Sequence, residues 1–186
     1  MGEPGLGAEL TGWLTRHLGG RIFQLGRLQF ELVGVGRTTA GDLTERGIPC
    51  QKGDPVLFVH IPACGGPLTE LACDESFAHA ERFFAGHFPA ERYRAYLCFS
   101  WLLDPQLARY LAPDSNVLAF QRRFSLWQRD GPDFDADASI RKFVFETPWA
   151  PDDQLPRRTR LERAVIDHVA AGRHWHLGRG VIPLTA

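Results

Sequence analysis

The chain predicts an α/β (α+β) fold, a mixed and largely antiparallel sheet with flanking helices, on three observations. The run Val56-Leu57-Phe58-Val59-His60-Ile61 has the length and β-branched content of a buried strand, closed by Pro62 and the turn Gly65-Gly66-Pro67. The period then changes. From Asp74, Phe77, Ala80, Phe84 and Phe88 recur at three- and four-residue steps, with Glu75, Glu81 and Arg82 on other faces, and Pro89 ends the helix. Tyr96 to Leu103 is again strand-like and almost wholly apolar, as expected where both faces of a sheet are covered. At 186 residues, 44% hydrophobic and 23% charged, the chain suits one domain with a sizeable core better than two.

The other elements follow in order. Leu10, Trp13, Leu14 and Leu18 fall at helical spacing, so residues 1–19 read as a tail and an amphipathic helix stopped by Gly19-Gly20, with 20–186 as the domain proper. The apolar stripe of that helix calls for a partner, and self-association as a homodimer is expected. Ile22 to Val35 alternates as one long strand, with Gly26 marking a bulge. The stretch Gly34 to Asp54, rich in Gly, Thr and charge, reads as a hairpin connection or loop. Asp104-Pro105 opens one or two helical turns through Tyr110, because Asp caps and Pro presets φ. Asn116 to Gln128 and Ile140 to Glu146 read as strands, separated by an acidic loop from Asp130 to Ala138, and Pro148 to Pro156 is a polar connection. Leu161, Val165, Ile166 and Val169 define a last helix capped by Gly172, and His174 to Leu184 supplies a final strand.

Charge and cysteine usage narrow the function classes. A formal net charge of -1 argues against a general nucleic-acid binder, whose affinity rests on a basic surface. Cys50, Cys64, Cys73 and Cys98 lack paired C-x-x-C spacing, which signals neither a zinc knuckle nor a redox motif and fits reduced thiols. No run approaches membrane-spanning length and no signal-peptide core is present, so a cytoplasmic protein without membrane partners is expected.

Several local motifs carry a family resemblance: Phe23-Gln24-Leu25-Gly26-Arg27-Leu28-Gln29-Phe30-Glu31, His60-Ile61-Pro62, Gly66-Pro67-Leu68-Thr69, Ser100-Trp101-Leu102-Leu103-Asp104-Pro105, Asp114-Ser115-Asn116 and His174-Trp175-His176. With the element order, they resemble the GNAT-like C-terminal domain of a group of bacterial acyltransferase-domain proteins, within the GNAT superfamily of acyl-CoA-dependent N-acyltransferases. The resemblance runs from about residue 20 to 184. It implies that the Val56 and Tyr96 strands splay as central strands to admit a thioester and its pantetheine arm. It also implies that Ile61 and the backbone of Gly65, Gly66, Leu68 and Thr69 contact the cofactor, amides at a helix start receiving its pyrophosphate. The implied reaction moves an acyl group from a CoA or phosphopantetheine-bound carrier-protein thioester to an amine of a small metabolite, with no metal. In that group this half follows an N-terminal partner domain, so a stand-alone variant or a separate partner chain is expected. The turn departs from the superfamily's Arg/Gln-x-x-Gly-x-Gly/Ala pattern. Pro67 removes one donor, and from His60 to Ser76 there are three acidic residues and no Lys or Arg. These departures motivate the alternative, a non-catalytic or repurposed subunit binding a biosynthetic intermediate or partner protein.

The resemblance assigns the chemistry to a few side chains. His60, at a strand end, is the candidate general base, since a near-neutral imidazole suits an amine nucleophile; its structural reading is a histidine bonding a loop carbonyl. Tyr110 is the candidate proton donor to the leaving thiolate, set against a tyrosine with its ring in the core and its hydroxyl outside. Ser100 is an alternative donor or binds the acyl carbonyl, and Asp104 is a helix cap. Glu31 and Trp101 are assigned to the substrate pocket, although Glu31 also reads as a solvent-facing carboxylate. His174 and His176 have a spacing compatible with a metal, but no carboxylate or thiolate joins them in sequence, and no metal is assigned. Cys64 lacks a nearby cation and is assigned no reactivity.

Overall fold

The alternation from Ile22 onward meets Gly26, and there the chain reverses. In the computed structural model, which describes residues 19–129 and 136–184, the expected single strand is a hairpin of β1 (Ile22–Leu25) and β2 (Leu28–Gly34). Gly26 takes φ 75° as the first of two turn residues, the geometry that lets a two-residue turn match the twist of its strands. Ser76 pegs this turn, its Oγ accepting from Arg27 N at 2.7 Å and Leu28 N at 3.3 Å. The expected helix over Leu6 to Leu18 lies outside the described residues, as do residues 130–135.

Of the described residues, 19–65, 71–96 and 183–184 form one compact unit and 66–70 with 97–182 form the other. In the first, β2 pairs antiparallel with β3 (Pro55–His60). Between them, where a loop was expected, α1 (Arg37–Glu45) buries Ala40 and Leu43. Helix α2 (Glu70–His87) begins four residues before Asp74. Its aromatic stripe meets the sheet: Phe23 packs on Phe83, Phe84 and Phe88, and Phe30 on Phe77.

In the second unit the apolar run that opens as β4 (Ala95–Ser100) stops sooner than expected. Ser100 Oγ accepts from Leu102 N at 3.2 Å and starts a 3-10 turn, Trp101–Leu103. Asp104 then caps the 3-10 helix Pro105–Arg109, as its Asp-Pro start predicts.

Two expected strands are helices. Ser115 caps α3 (Asn116–Gln121), and only β5 (Ser125–Trp127) remains of the strand drawn through Gln128. In place of the strand from Ile140, α4 (Asp137–Val144) turns Ile140 into the core. Short apolar runs fit either period, so the local caps decided.

Helix α5 (Arg160–Ala170) is closed by a reciprocal Thr159–Glu162 capping box and ends before Gly172, at φ 70°. It packs Val165 and Ile166 with Leu107, Ile140 and the fully buried Trp175. Strand β6 (Gly178–Pro183) pairs antiparallel with β5. Arg141 donates to the carbonyls of Pro148 and Ala150 and to the Asp152 carboxylate, fastening the polar connection to α4. The six strands follow the order β1-β2-β3-β4-β6-β5, the mixed α/β class that the sequence predicts.

Candidate active site

Register sorts the first unit's side chains into two faces. Gln24 stands opposite Gln29 and Gln29 opposite His60, while Ile22 faces Glu31 and Glu31 faces Phe58. Directly paired residues share a face and alternate residues return to it. Gln29, Glu31, Phe58 and His60 therefore line one side of β2 and β3, and the phenylalanines under α2 belong to the other. The polar groups gather at the hairpin end of this side, while Val33, the fully buried Val56 and Ile22 keep it apolar elsewhere.

On the polar side His60 Nε2 lies 2.9 Å from Glu31 Oε2, with 26% of the His60 side chain and 6% of the Glu31 side chain exposed. A carboxylate only accepts, so Nε2 carries a hydrogen, and in the neutral imidazole the lone pair is the one at Nδ1. Glu31 does not face solvent, as its alternation alone allowed. It is buried, and it orients a half-exposed imidazole. The Phe58 ring lies 5.7 Å from that of His60, centroid to centroid. Ile61 follows, half-buried.

The segment beyond His60 lacks a cation of its own, yet the hairpin turn supplies one. Arg27 Nη1 donates to Pro62 O at 3.0 Å, and a Cβ at Gly65 would meet the Arg27 side chain at 3.7 Å. Gly65 and Gly66 both adopt left-handed backbone, at φ 97° and 83°, which places small residues there for a conformational reason. In the sequence Arg27 reads as a strand residue beside a bulge, and only the hairpin turn brings it to this loop.

In the second unit Leu68 is buried and Thr69 half-buried just before α2. Ser100 caps Trp101–Leu103 through its oxygen, which leaves its hydroxyl hydrogen to donate. Trp101 is half-buried against the Trp175 core. Tyr110 meets a residue that sequence reasoning passed over: its hydroxyl lies 2.9 Å from Nδ1 of His168, a fully buried side chain on α5. His168 Nε2 lies 3.2 Å from His174 O and must donate there, so Nδ1 accepts the Tyr110 hydrogen. Arg173 Nη1 donates to the same hydroxyl oxygen at 3.2 Å, and the His168 ring stacks on Trp175 at 3.9 Å. The helical spacing of α5 put His168 one residue before Val169, on the inward side, and that was the available signal.

Burial is the largest influence on His168 and holds its pKa below the ordinary value, against the opposing bond to His174 O. The unfolded chain, with a histidine near about 6.5, therefore binds more protons than the folded one as acid is added. The stability owed to neutral His168 is complete above that pH and is lost as pH falls through the lowered folded value. Melting temperature is expected to fall more steeply below about pH 6.5 in the wild type than in H168Q. Parallel melting curves for the two from neutral to acid pH would contradict this.

His174 and His176 take different carboxylate partners. His174 Nδ1 lies 2.7 Å from Asp137 Oδ2, whereas His176 N donates to the fully buried Asp104 at 2.7 Å. Asp104 also accepts from Gln106 N at 2.9 Å and Gln128 Nε2 at 3.3 Å, so it is a buried junction as well as a cap. Among the described residues no group of three His, Cys, Asp or Glu side chains is gathered to hold a metal. No helix among them is long and apolar enough to cross a membrane.

Residues 22–182 match the family described as GNAT-like C-terminal domain. Among solved structures, the chain is 41% identical to a mutant acyltransferase in complex with octanoyl-CoA, with a TM-score of 0.80 over 95% of this chain and 50% of that one. An acyltransferase in complex with CoA and 10C-teicoplanin is also 41% identical, with a TM-score of 0.79 over 93% and 50%. One in complex with decanoyl-CoA and teicoplanin is 42% identical, with a TM-score of 0.78 over the same shares. The chain thus spans about half the length of the solved structures it matches. No curated protein matches it.

Proposed function

The chain belongs to the family of GNAT-like C-terminal domains, and from that membership we propose that it takes part in acyl transfer from acyl-CoA to an amine of a small molecule. The observation that carries this reading is the His60–Glu31 pair, 2.9 Å apart, with the carboxylate buried and the imidazole half-exposed. Identity of 41% to acyltransferases in complex with octanoyl-CoA, or with CoA and 10C-teicoplanin, supports the donor class and a bulky small-molecule acceptor.

In the proposed reaction the amine nitrogen attacks the thioester carbonyl carbon. Its surplus proton passes to His60 Nδ1, while the Glu31 carboxylate holds Nε2–H and stabilises the imidazolium that forms. The C–N bond forms, the C–S bond breaks, and the departing sulfur takes a proton. Ser100, with a hydroxyl hydrogen to donate, is the proposed source, reprotonated from solvent as His60 releases the amine proton to solvent. Tyr110 gives its hydrogen to His168 and is the weaker donor candidate. Trp101 is proposed to contact substrate. Ile61 and the backbone of Gly65, Gly66, Leu68 and Thr69 are proposed to contact the nucleotide end of the cofactor.

Thiol release from octanoyl-CoA and decanoyl-CoA, with and without primary amines, tests the reading. Amine-dependent release with an amide product is expected. Calorimetric binding of both thioesters without any release would instead mark a binding module, and no binding would remove the proposal.

A further inference from the structure

The polar side of β2 holds one group that neither the His60–Glu31 pair nor the core uses. Gln29 is directly opposite His60 in register and is only 8% exposed, yet its carboxamide oxygen is buried without a hydrogen-bond partner. An unpaired buried acceptor costs the fold free energy that an apolar residue of the same shape would not. Its neighbour across the hairpin offers no relief, because Gln24 Nε2 is committed to the carbonyls of Gly26 at 2.7 Å and Leu28 at 3.2 Å. Directly opposed residues have Cβ atoms about 5 Å apart. The Gln29 side chain, with its unused acceptor, therefore leaves the sheet on the same face and next to that of His60, whose Nδ1 has no partner among the described residues.

We propose that Gln29 is a substrate-binding residue that accepts a hydrogen bond from the amine nucleophile through its side-chain oxygen. The inference rests on acyl transfer to an amine. It adds a second contact to that reading: a primary amine has more than one N–H, and a single base engages one of them. With one N–H on His60 Nδ1 and another on Gln29 Oε1, the nitrogen is fixed at two points and its lone pair takes a defined direction. A carboxamide at this position also selects by chemistry. An ether or thioether acceptor has no hydrogen for it, and the oxygen would stay unpaired when such a molecule bound.

The test compares wild type, Q29L and Q29N, with 2-aminoethanol, 2-phenylethylamine and teicoplanin as probes. Binding is read by calorimetry and turnover by thiol release from octanoyl-CoA. In Q29L, amine affinity is expected to fall about tenfold, with a matching rise in the amine KM, the effect of one lost hydrogen bond. Octanoyl-CoA affinity should stay within about twofold, and the melting temperature should hold or rise, because the deleted oxygen had no partner. Q29N keeps the carboxamide and should recover part of the loss. Unchanged amine affinity in Q29L overturns the proposal. So does a fall in melting temperature accompanied by equal losses for amine and octanoyl-CoA, which would make Gln29 a packing residue. A wild type that binds amine but releases no thiol removes acyl transfer and leaves the Gln29 contact standing. A wild type that binds none of the probes removes the contact.

Discussion

Replacing His60 by alanine is expected to lower amine-dependent thiol release from octanoyl-CoA by about 10²–10⁴-fold, the usual contribution of a positioned general base. Affinity for octanoyl-CoA should change little. The loss follows if the proposed mechanism holds: Glu31 occupies Nε2 at 2.9 Å, which leaves Nδ1 as the proton acceptor. Removing the ring leaves Glu31 buried without that partner, so some loss of stability accompanies the loss of rate. Imidazole added to His60→Ala separates the two effects. Partial recovery of rate shows that the missing ring, and not a damaged fold, limits turnover. Glu31→Gln keeps the shape but removes the charge that stabilises the imidazolium, and an intermediate loss is expected. A His60→Ala variant that turns over at the wild-type rate would make the histidine structural.

The second large effect is one of stability. A Cβ at Gly178 would sit 2.3 Å from both the carbonyl carbon and oxygen of Leu103, and 2.8 Å from Asp104 N. These are backbone atoms at the junction of two 3-10 turns, and Asp104 is tied there by its bonds to Gln106 and His176. Neither β6 nor the turn can yield without breaking that junction. Overpacking costs about 1–3 kcal/mol where side chains can move aside, and a backbone obstacle puts Gly178→Ala at or above the upper end. The melting temperature is then expected to fall by about 6–12 °C. Gly41→Ala is the control, since Gly41 lies within α1 with no atom within 4 Å of a Cβ and no left-handed φ. It should be neutral or stabilising by about 0.5–1 kcal/mol. Equal melting temperatures for wild type and Gly178→Ala would show that the strand can shift away from the turn.

The elements legible in the sequence were those whose pattern outlasted ambiguity. Strand β3 was read in place as a short β-branched run, and helix α2, which begins at Glu70, was read from Asp74 because Phe77, Ala80, Phe84 and Phe88 hold a three- and four-residue period. The turn at Gly26 was read as a bulge because alternation continues on both sides of it, and one glycine does not distinguish a bulge from a reversal. Helices α3 and α4 were read as strands because their apolar runs are too short for period to decide; the Ser115 cap and the first-turn Asp137 were the available corrections. Helix α1 buries little beyond Ala40 and Leu43, which leaves almost no apolar signal among its glycine and threonines. His60 was identified singly as a strand-end imidazole, whereas its union with Glu31 depends on register across 29 residues. Arg27 at the glycine loop and His168 behind Tyr110 depend on tertiary approach of the same kind.

Because β2 sends Phe30 to one side and Gln29 and Glu31 to the other, its two sets of positions answer to different selective pressures. Substitutions in the phenylalanine set are judged by volume, whatever molecule the protein handles. Those at Gln29 and Glu31, both buried, are judged by hydrogen bonding and charge as well as by volume. On the acyl-transfer reading proposed above, acceptor preference would then diverge through a few alternate codons of one seven-residue strand, without the scaffold having to be rebuilt.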